Sequence, residues 1–186
     1  MALLSKFPAV IEPILRYPGA QQPFYTEKGY PRVATIPKFM RVDVEAEGVV
    51  ITVFVAHLKS QIGGYTAERE RLVQAQIVGR TVRAPLEKGR PSIVLMGDLN
   101  DDNDTQTLTT LLGRADGSWP MYQSTDSNLF AGEAWTHDHE GAREQLDHVI
   151  LSKFLNDCLR GVEIQRFDDG VSDHEAGVVE IELGCE

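Results

Sequence analysis

Ser92-Ile93-Val94-Leu95-Met96-Gly97-Asp98-Leu99-Asn100-Asp101-Asp102 passes from an apolar run to a cluster of acids within a few residues. Ile93 to Met96 read as a strand buried on both faces. Gly97 allows a turn or a close approach by another backbone. Asp98 and Asn100 stand two residues apart, so on an extended chain their side chains point to one side. Carboxylates at the end of a buried strand need partners, and a hard cation is a common one. A strand running into an Asx-rich turn and a helix cap explains the same residues without a ligand. An EF-hand loop does not fit, because Asn103 replaces its glycine and Thr109 its bidentate glutamate.

The rest of the composition narrows the field. The chain has 186 residues, 42% hydrophobic and 25% charged, which suits one soluble domain, residues 1–186. The net charge of −10 argues against broad basic contact with nucleic acid, but leaves room for a site where metal ions supply positive charge. Two cysteines, Cys158 and Cys185, have no CxxC spacing. Neither a disulfide scaffold nor a structural zinc site is expected, and reduced cysteines in a cytoplasmic protein are the default. Met1 to Leu15 lacks the basic start and unbroken apolar core of a signal peptide, and no transmembrane segment is expected.

In chain order, Ala2 to Ser5 reads as a short strand and Pro13 to Pro31 as an irregular connection with a short strand near Phe24-Tyr25. Met40, Val42 and Val44 alternate with Arg41, Asp43 and Glu45, the pattern of a half-buried strand. Glu47-Gly48 turns the chain into the central strand Val49 to Ala56, which ends in His57-Leu58-Lys59-Ser60. Thr66 is placed as the cap of a helix reaching about Leu86, and Asp104 or Thr105 as the cap of a helix ended by Gly113. Residues 114–145 are loop-rich, and strands follow at 146–151, 162–167 and 176–183. These elements suggest an α+β arrangement rather than strict βαβ alternation.

Four polar clusters stand at the ends of apolar strands: His57, Asp98 with Asn100, Asp147 with His148, and Asp173 with His174. Asp147 interrupts an apolar run, where aspartate is seldom found unpaired. His148 points to the opposite side of that strand and receives no catalytic role. His137, Asp138, His139 and Glu140 resemble a metal cluster in composition, but without fixed ligand spacing they read as a solvated loop. A serine-nucleophile elbow and a phosphate-binding glycine loop are absent.

The order Val55-Ala56-His57-Leu58-Lys59-Ser60, Met96-Gly97-Asp98-Leu99-Asn100, Gln145-Leu146-Asp147-His148-Val149-Ile150-Leu151 and Ser172-Asp173-His174 resembles the endonuclease/exonuclease/phosphatase superfamily. Ala2-Leu3-Leu4-Ser5-Lys6-Phe7-Pro8 resembles a further family strand. The resemblance implies a two-sheet β-sandwich flanked by helices, four layers in the order α/β/β/α. It implies that His57 contacts the phosphate, and that Asp98 and Asn100 position the attacking water, the phosphate and a metal. Asp147 would orient His174, and Asp173 would join the metal site directly or through water. The implied chemistry is attack of water on a phosphate ester, with Mg²⁺ or Mn²⁺ (Ca²⁺ being the third candidate) offsetting charge.

Family members carry an asparagine and a metal-binding glutamate on strands that precede the Ser-basic-aromatic-Pro strand, here at residue 2. The expected domain is therefore truncated at its N-terminus, with a sheet edge that a missing segment or a second copy would cover. Two functions follow as expectations. One is a metal-dependent phosphoesterase acting on a small molecule, a lipid headgroup or nucleic acid. The other is a non-catalytic remnant of the fold that serves as a binding or self-assembly module.

Overall fold

The computed structural model describes residues 4–12, 21–113, 121–123, 134–167 and 172–185. Its centre is a six-stranded mixed sheet in the order β1-β4-β5-β6-β10-β7. The two strands at its heart are β5 (Val49–Ala56) and β6 (Ile93–Asp98), which run parallel. The crossover between them is α1 (Gly64–Glu87), long enough to pack back across the sheet. On one side of this pair β4 (Phe39–Ala46) and β1 (Ala9–Glu12) follow, each antiparallel to its inner neighbour. On the other side lie β10 (Asp147–Ser152) and then β7 (Met121–Gln123), again antiparallel.

Alternation along the strands divides the apolar side chains between two faces. Phe39, Phe54, Ala56, Ile93 and Leu95 join Val78 and Val82 of α1 and Leu108 and Leu111 of α2 (Gln106–Leu112) in the main core. Val42, Val44 and Val53 form a second cluster with Met40, Ile51, Val55, Val94 and Met96 on the other face. The central strands are therefore apolar on both sides, as the continuous runs at 49–56 and 93–96 predict.

The expected second sheet is present only in small pieces among the described residues. β11 (Leu159–Gln165) and β12 (Ala176–Ile181) pair with each other alone, and a short helix α3 (Lys153–Asp157) joins β10 to β11. β2 (Gln21–Tyr25) pairs with β3 (Pro31–Thr35), and β8 (His137–His139) with β9 (Ala142–Glu144). The described residues thus form a mixed α/β arrangement with one large sheet, three two-stranded ribbons and three helices. The ribbon β11–β12 touches the large sheet through β10 and β12. Met40, Ile51, Val55, Val94 and Met96 stay partly exposed on the second face.

Several local expectations meet the structure closely. The β4–β5 hairpin turns at Glu47 and Gly48, both at positive φ (53° and 80°), the requirement of a tight two-residue turn. Thr105 caps α2 by accepting from Leu108 N–H at 3.3 Å, and Gly113 ends it at φ 67°. Thr66 does not cap α1, which begins earlier, at Gly64, with Gly63 at the cap and no side-chain cap bond. The first strand is Ala9–Glu12, with no strand at Leu4-Ser5; residues 1–3, residues 13–20 of the 13–31 connection and Trp119-Pro120 lie outside the described residues.

The reduced-cysteine expectation fails. Cys158 and Cys185 form a disulfide with their Cα atoms 5.7 Å apart, tying the end of the β12 segment to the turn before β11. Their separation of 27 residues carries no sequence signature, and the antiparallel β11–β12 ribbon alone brings them together.

Gly97 sits at φ 132°, and a Cβ there would lie 2.1 Å from the carbonyl oxygen of Ala56. β5 and β6 therefore approach at their C-terminal ends as only glycine permits. Gly97→Ala is expected to destabilise the fold by roughly 3 kcal/mol, read as a lower denaturant midpoint at unchanged m-value. Reduction of the disulfide is expected to remove on the order of 3 kcal/mol of stability. Thermal unfolding with and without reductant measures it, and identical curves would refute the cross-link.

Candidate active site

The site is assembled at one end of the large sheet. Because β5 and β6 are parallel, their C-terminal ends lie together, and antiparallel β10 begins at the same end. His57 follows β5, Asp98 ends β6 and Asp147 opens β10. Asp147 is the direct register partner of Asp98. Backbone bonds lock this end: Leu58 N–H donates to the Asp98 carbonyl at 3.0 Å, and Leu99 N–H to the Leu146 carbonyl at 2.8 Å.

Asp98 faces a mixed field. Burial, followed by the neighbouring Asp147 charge, raises its pKa above the usual carboxylate range, although His57 and the Asn100 backbone N–H pull the other way. His57 Nε2 lies 3.6 Å from Asp98 Oδ2. Asn100 donates its backbone N–H to Asp98 Oδ1 at 3.0 Å and its side-chain amide to Asp98 Oδ2, also at 3.0 Å. The same amide nitrogen reaches the Leu58 carbonyl at 3.1 Å, which leaves Oδ1 as the side chain's acceptor. Asp98 and Asn100 are thus brought together, though by a different route from the one expected. The strand stops at Asp98 and Asn100 adopts a left-handed φ of 52°, so a turn joins the two instead of strand alternation.

Asp147 and His174 meet across 27 residues of chain: His174 Nδ1 lies 2.6 Å from Asp147 Oδ2. Burial disfavours the charged imidazole, but the hydrogen bond and charge of Asp147, with Asp98 and Asp173 adding to it, hold the His174 pKa above its ordinary value. The bond fixes Nδ1 as the donor and leaves Nε2 for chemistry. Asp173 is exposed and groups with His137 and His174. The adjoining 168–171 loop lies outside the described residues.

His148 is buried and binds the Asp101 carbonyl through Nε2 at 2.8 Å, and burial lowers its pKa. With the buried Arg71–Asp101 ion pair at 3.0 Å, it pins the loop after β6.

Two further side chains belong to the site and carry no sequence signal. Lys38 Nζ lies 3.4 and 3.3 Å from the two ring nitrogens of His57, adding positive charge beside an acidic pair. It precedes β4, and the β4–β5 pairing, continued by the backbone bond from His57 N–H to the Lys38 carbonyl at 2.9 Å, brings it there. Thr136 is fully buried, and its hydroxyl accepts from the N–H groups of Leu146 and Asp147 at 3.0 and 2.9 Å. It thereby sets the start of β10, while its carbonyl accepts from Glu175 N–H at 2.7 Å beside His174.

Residues 1–174 match the model of the endonuclease/exonuclease/phosphatase family. The chain belongs to that family, whose members are hydrolases of phosphate esters. Solved structures agree on the fold. A Neisseria 3′ phosphatase bound to product DNA hairpin aligns with a TM-score of 0.60 at 15% identity, covering 90% of this chain and 84% of its own. Staphylococcus aureus beta toxin aligns at 0.56 and 19% identity, over 78% of this chain and 57% of its own. Truncated Caenorhabditis elegans TDP2 aligns at 0.55 and 16% identity, over 94% and 66%. No match was found among curated proteins.

If neutral His174 accepts a proton, kcat/KM rises as pH climbs through its raised pKa. Asp147→Asn removes the charge that raises that pKa, so the midpoint of the limb should move down towards about 6.5. The maximal rate should fall by about 10²-fold or more, through loss of the oriented tautomer. A pH–rate profile of both forms checks this, and an unmoved midpoint contradicts the role given to His174.

Proposed function

We propose that this protein is a metal-dependent phosphoesterase that hydrolyses its substrate with a water activated beside His174. The observation that carries the reading is the joining of Asp98, Asp147, His174, His57 and Asn100 at one sheet end from four separate chain segments. Catalysis of phosphate hydrolysis is chiefly positioning plus electrostatics, and these side chains suit both tasks.

His174, held through Nδ1 by Asp147, takes the proton from water at Nε2. His57, with Lys38 beside it, lies opposite the developing charge on the phosphate. Asn100 fixes the Asp98 carboxylate through its backbone and amide N–H groups. The donor set also fits a hard cation. Asp98 and Asp147 are two carboxylates in register at a half-buried site, where burial first and the Asp147 charge second disfavour ionised Asp98, and a bound cation would offset both. Asp98 and Asn100 Oδ1 would hold Mg²⁺ or Mn²⁺, with Asp173 contributing through water. The ion would offset charge on the phosphate and leaving group.

The acidic balance of −10 favours small phosphate esters or lipid headgroups over duplex DNA as substrate. A second reading, a binding or self-assembly module, is supported by the partly exposed apolar second face of the sheet.

Millimolar Mg²⁺ or Mn²⁺ is expected to raise the melting temperature by a few degrees at neutral pH. The shift should shrink as acid protonates Asp98. The same metals should support hydrolysis of a generic phosphodiester or monoester, and Asp98→Ala should abolish both effects. A flat melting temperature without turnover, in a sample that sediments as a dimer, would favour the assembly module instead.

A further inference from the structure

We propose that His137, Asp173 and His174 bind a transition metal ion of the zinc class, at a position separate from the hard-cation site at Asp98 and Asn100. Occupancy of this position withdraws His174 from proton transfer. The binding claim stands on its own, and only the inhibitory consequence rests on the function proposed above.

One ligand atom from each of the three residues lies within 4.8 Å of the others. Tetrahedral zinc with bonds near 2.0–2.1 Å needs ligand atoms about 3.4 Å apart, so side-chain rotations of roughly an ångström close the site. Asp173 is exposed and both histidines are half-buried, which leaves room for that adjustment. Two imidazoles and one carboxylate suit zinc, nickel or cobalt, whereas Mg²⁺ and Ca²⁺ take oxygen ligands.

The surroundings of the two histidines add independent support. Asp147 takes the Nδ1 side of His174 at 2.6 Å and leaves Nε2 outward. A ligating histidine is oriented in the same way when its far ring nitrogen is held by a carboxylate. His137 Nδ1 is buried and has no hydrogen-bond partner among the described residues. A buried ring nitrogen without a partner is destabilising, and metal coordination is one way to satisfy it. The backbone holds the pair in place: a β-bridge joins His137 to His174, and their ring centroids are 4.7 Å apart. The neighbouring Asp138 is already committed to Gly141 N–H at 2.8 Å and to Arg143 at 3.0 Å. This leaves Asp173 as the carboxylate for the site.

The test uses the full chain in excess Mg²⁺. Co²⁺ should give visible ligand-field bands that Zn²⁺ removes, and calorimetry should show Zn²⁺ affinity at least tenfold weaker in His137→Ala and Asp173→Asn. His137→Asn, which keeps a small polar side chain, serves if the alanine variant unfolds. In Mn²⁺-supported hydrolysis, Zn²⁺ should stop the wild type but leave His137→Ala at its own zinc-free rate. Equal Zn²⁺ affinity in wild type and both His137 variants would overturn the site, as would no Zn²⁺ binding at all. Zinc binding without loss of turnover would overturn the inhibitory role. Calorimetry needs no turnover, so a chain without hydrolase activity still decides the binding claim.

Discussion

Asp98 and Asp147 face each other across adjacent antiparallel strands, and like charges in that relation repel. The rest of this end of the molecule is arranged around that pair. Asn100 turns back to hold both oxygens of Asp98. His174 arrives from the β12 segment to hold Asp147. His57 and Lys38 bring positive charge from the other side. Without these partners the two carboxylates would oppose the sheet pairing that positions them. These partners oppose the repulsion, although burial first and the Asp147 charge second still hold the Asp98 pKa above the usual carboxylate range.

The scaffold explains why such a pair is tolerated. β5, β6 and β10 are apolar on the face that meets α1 and α2, and their register is fixed by that burial. Slipping β10 by one residue would turn Ile150 out of the core and bury Asp147 and Val149 in its place. The end of the sheet is further locked by Gly97 against the Ala56 carbonyl, by Thr136 under the start of β10, and by Arg71 with His148 behind Asp101. The acidic pair thus sits where several separate contacts hold the sheet end, as a reacting group must be held within fractions of an ångström.

What the sequence discloses follows the range of the forces involved. The β4–β5 hairpin, β6 and the cap of α2 depend on local pattern and turn chemistry, so Glu47-Gly48, Ile93–Met96 and Thr105 are legible directly. The four polar clusters are legible as breaks in apolar runs, and their order is what points to the family. Lys38 and Thr136 are silent, because a lysine before a strand and a threonine in a loop look ordinary until strand pairing brings them to the site. The disulfide is silent for the same reason. The two-sheet expectation extends a family property to strands that pair only as the β11–β12 ribbon in the described residues.

His137 shows the limit of spacing arguments most clearly. Within 137–140 the two histidines and two acids have no ligand periodicity, and a solvated loop is the natural reading. In the fold, β8 carries His137 to a β-bridge with His174, and the residues that matter to it lie 36 and 37 positions further on. Asp138, the nearest acid in sequence, is meanwhile tied to Arg143 and Gly141. Imidazole and carboxylate clusters read from sequence neighbours can therefore be right in composition and wrong in membership. The two proposed cation sites at this end of the sheet divide by donor: oxygen from Asp98 and Asn100 on the β6 turn, nitrogen from His137 and His174 across the bridge. His174 stands where the two meet, held by Asp147 through one nitrogen and offering the other. Whatever binds that second nitrogen, whether a water to be deprotonated or a metal, does so at the expense of the other.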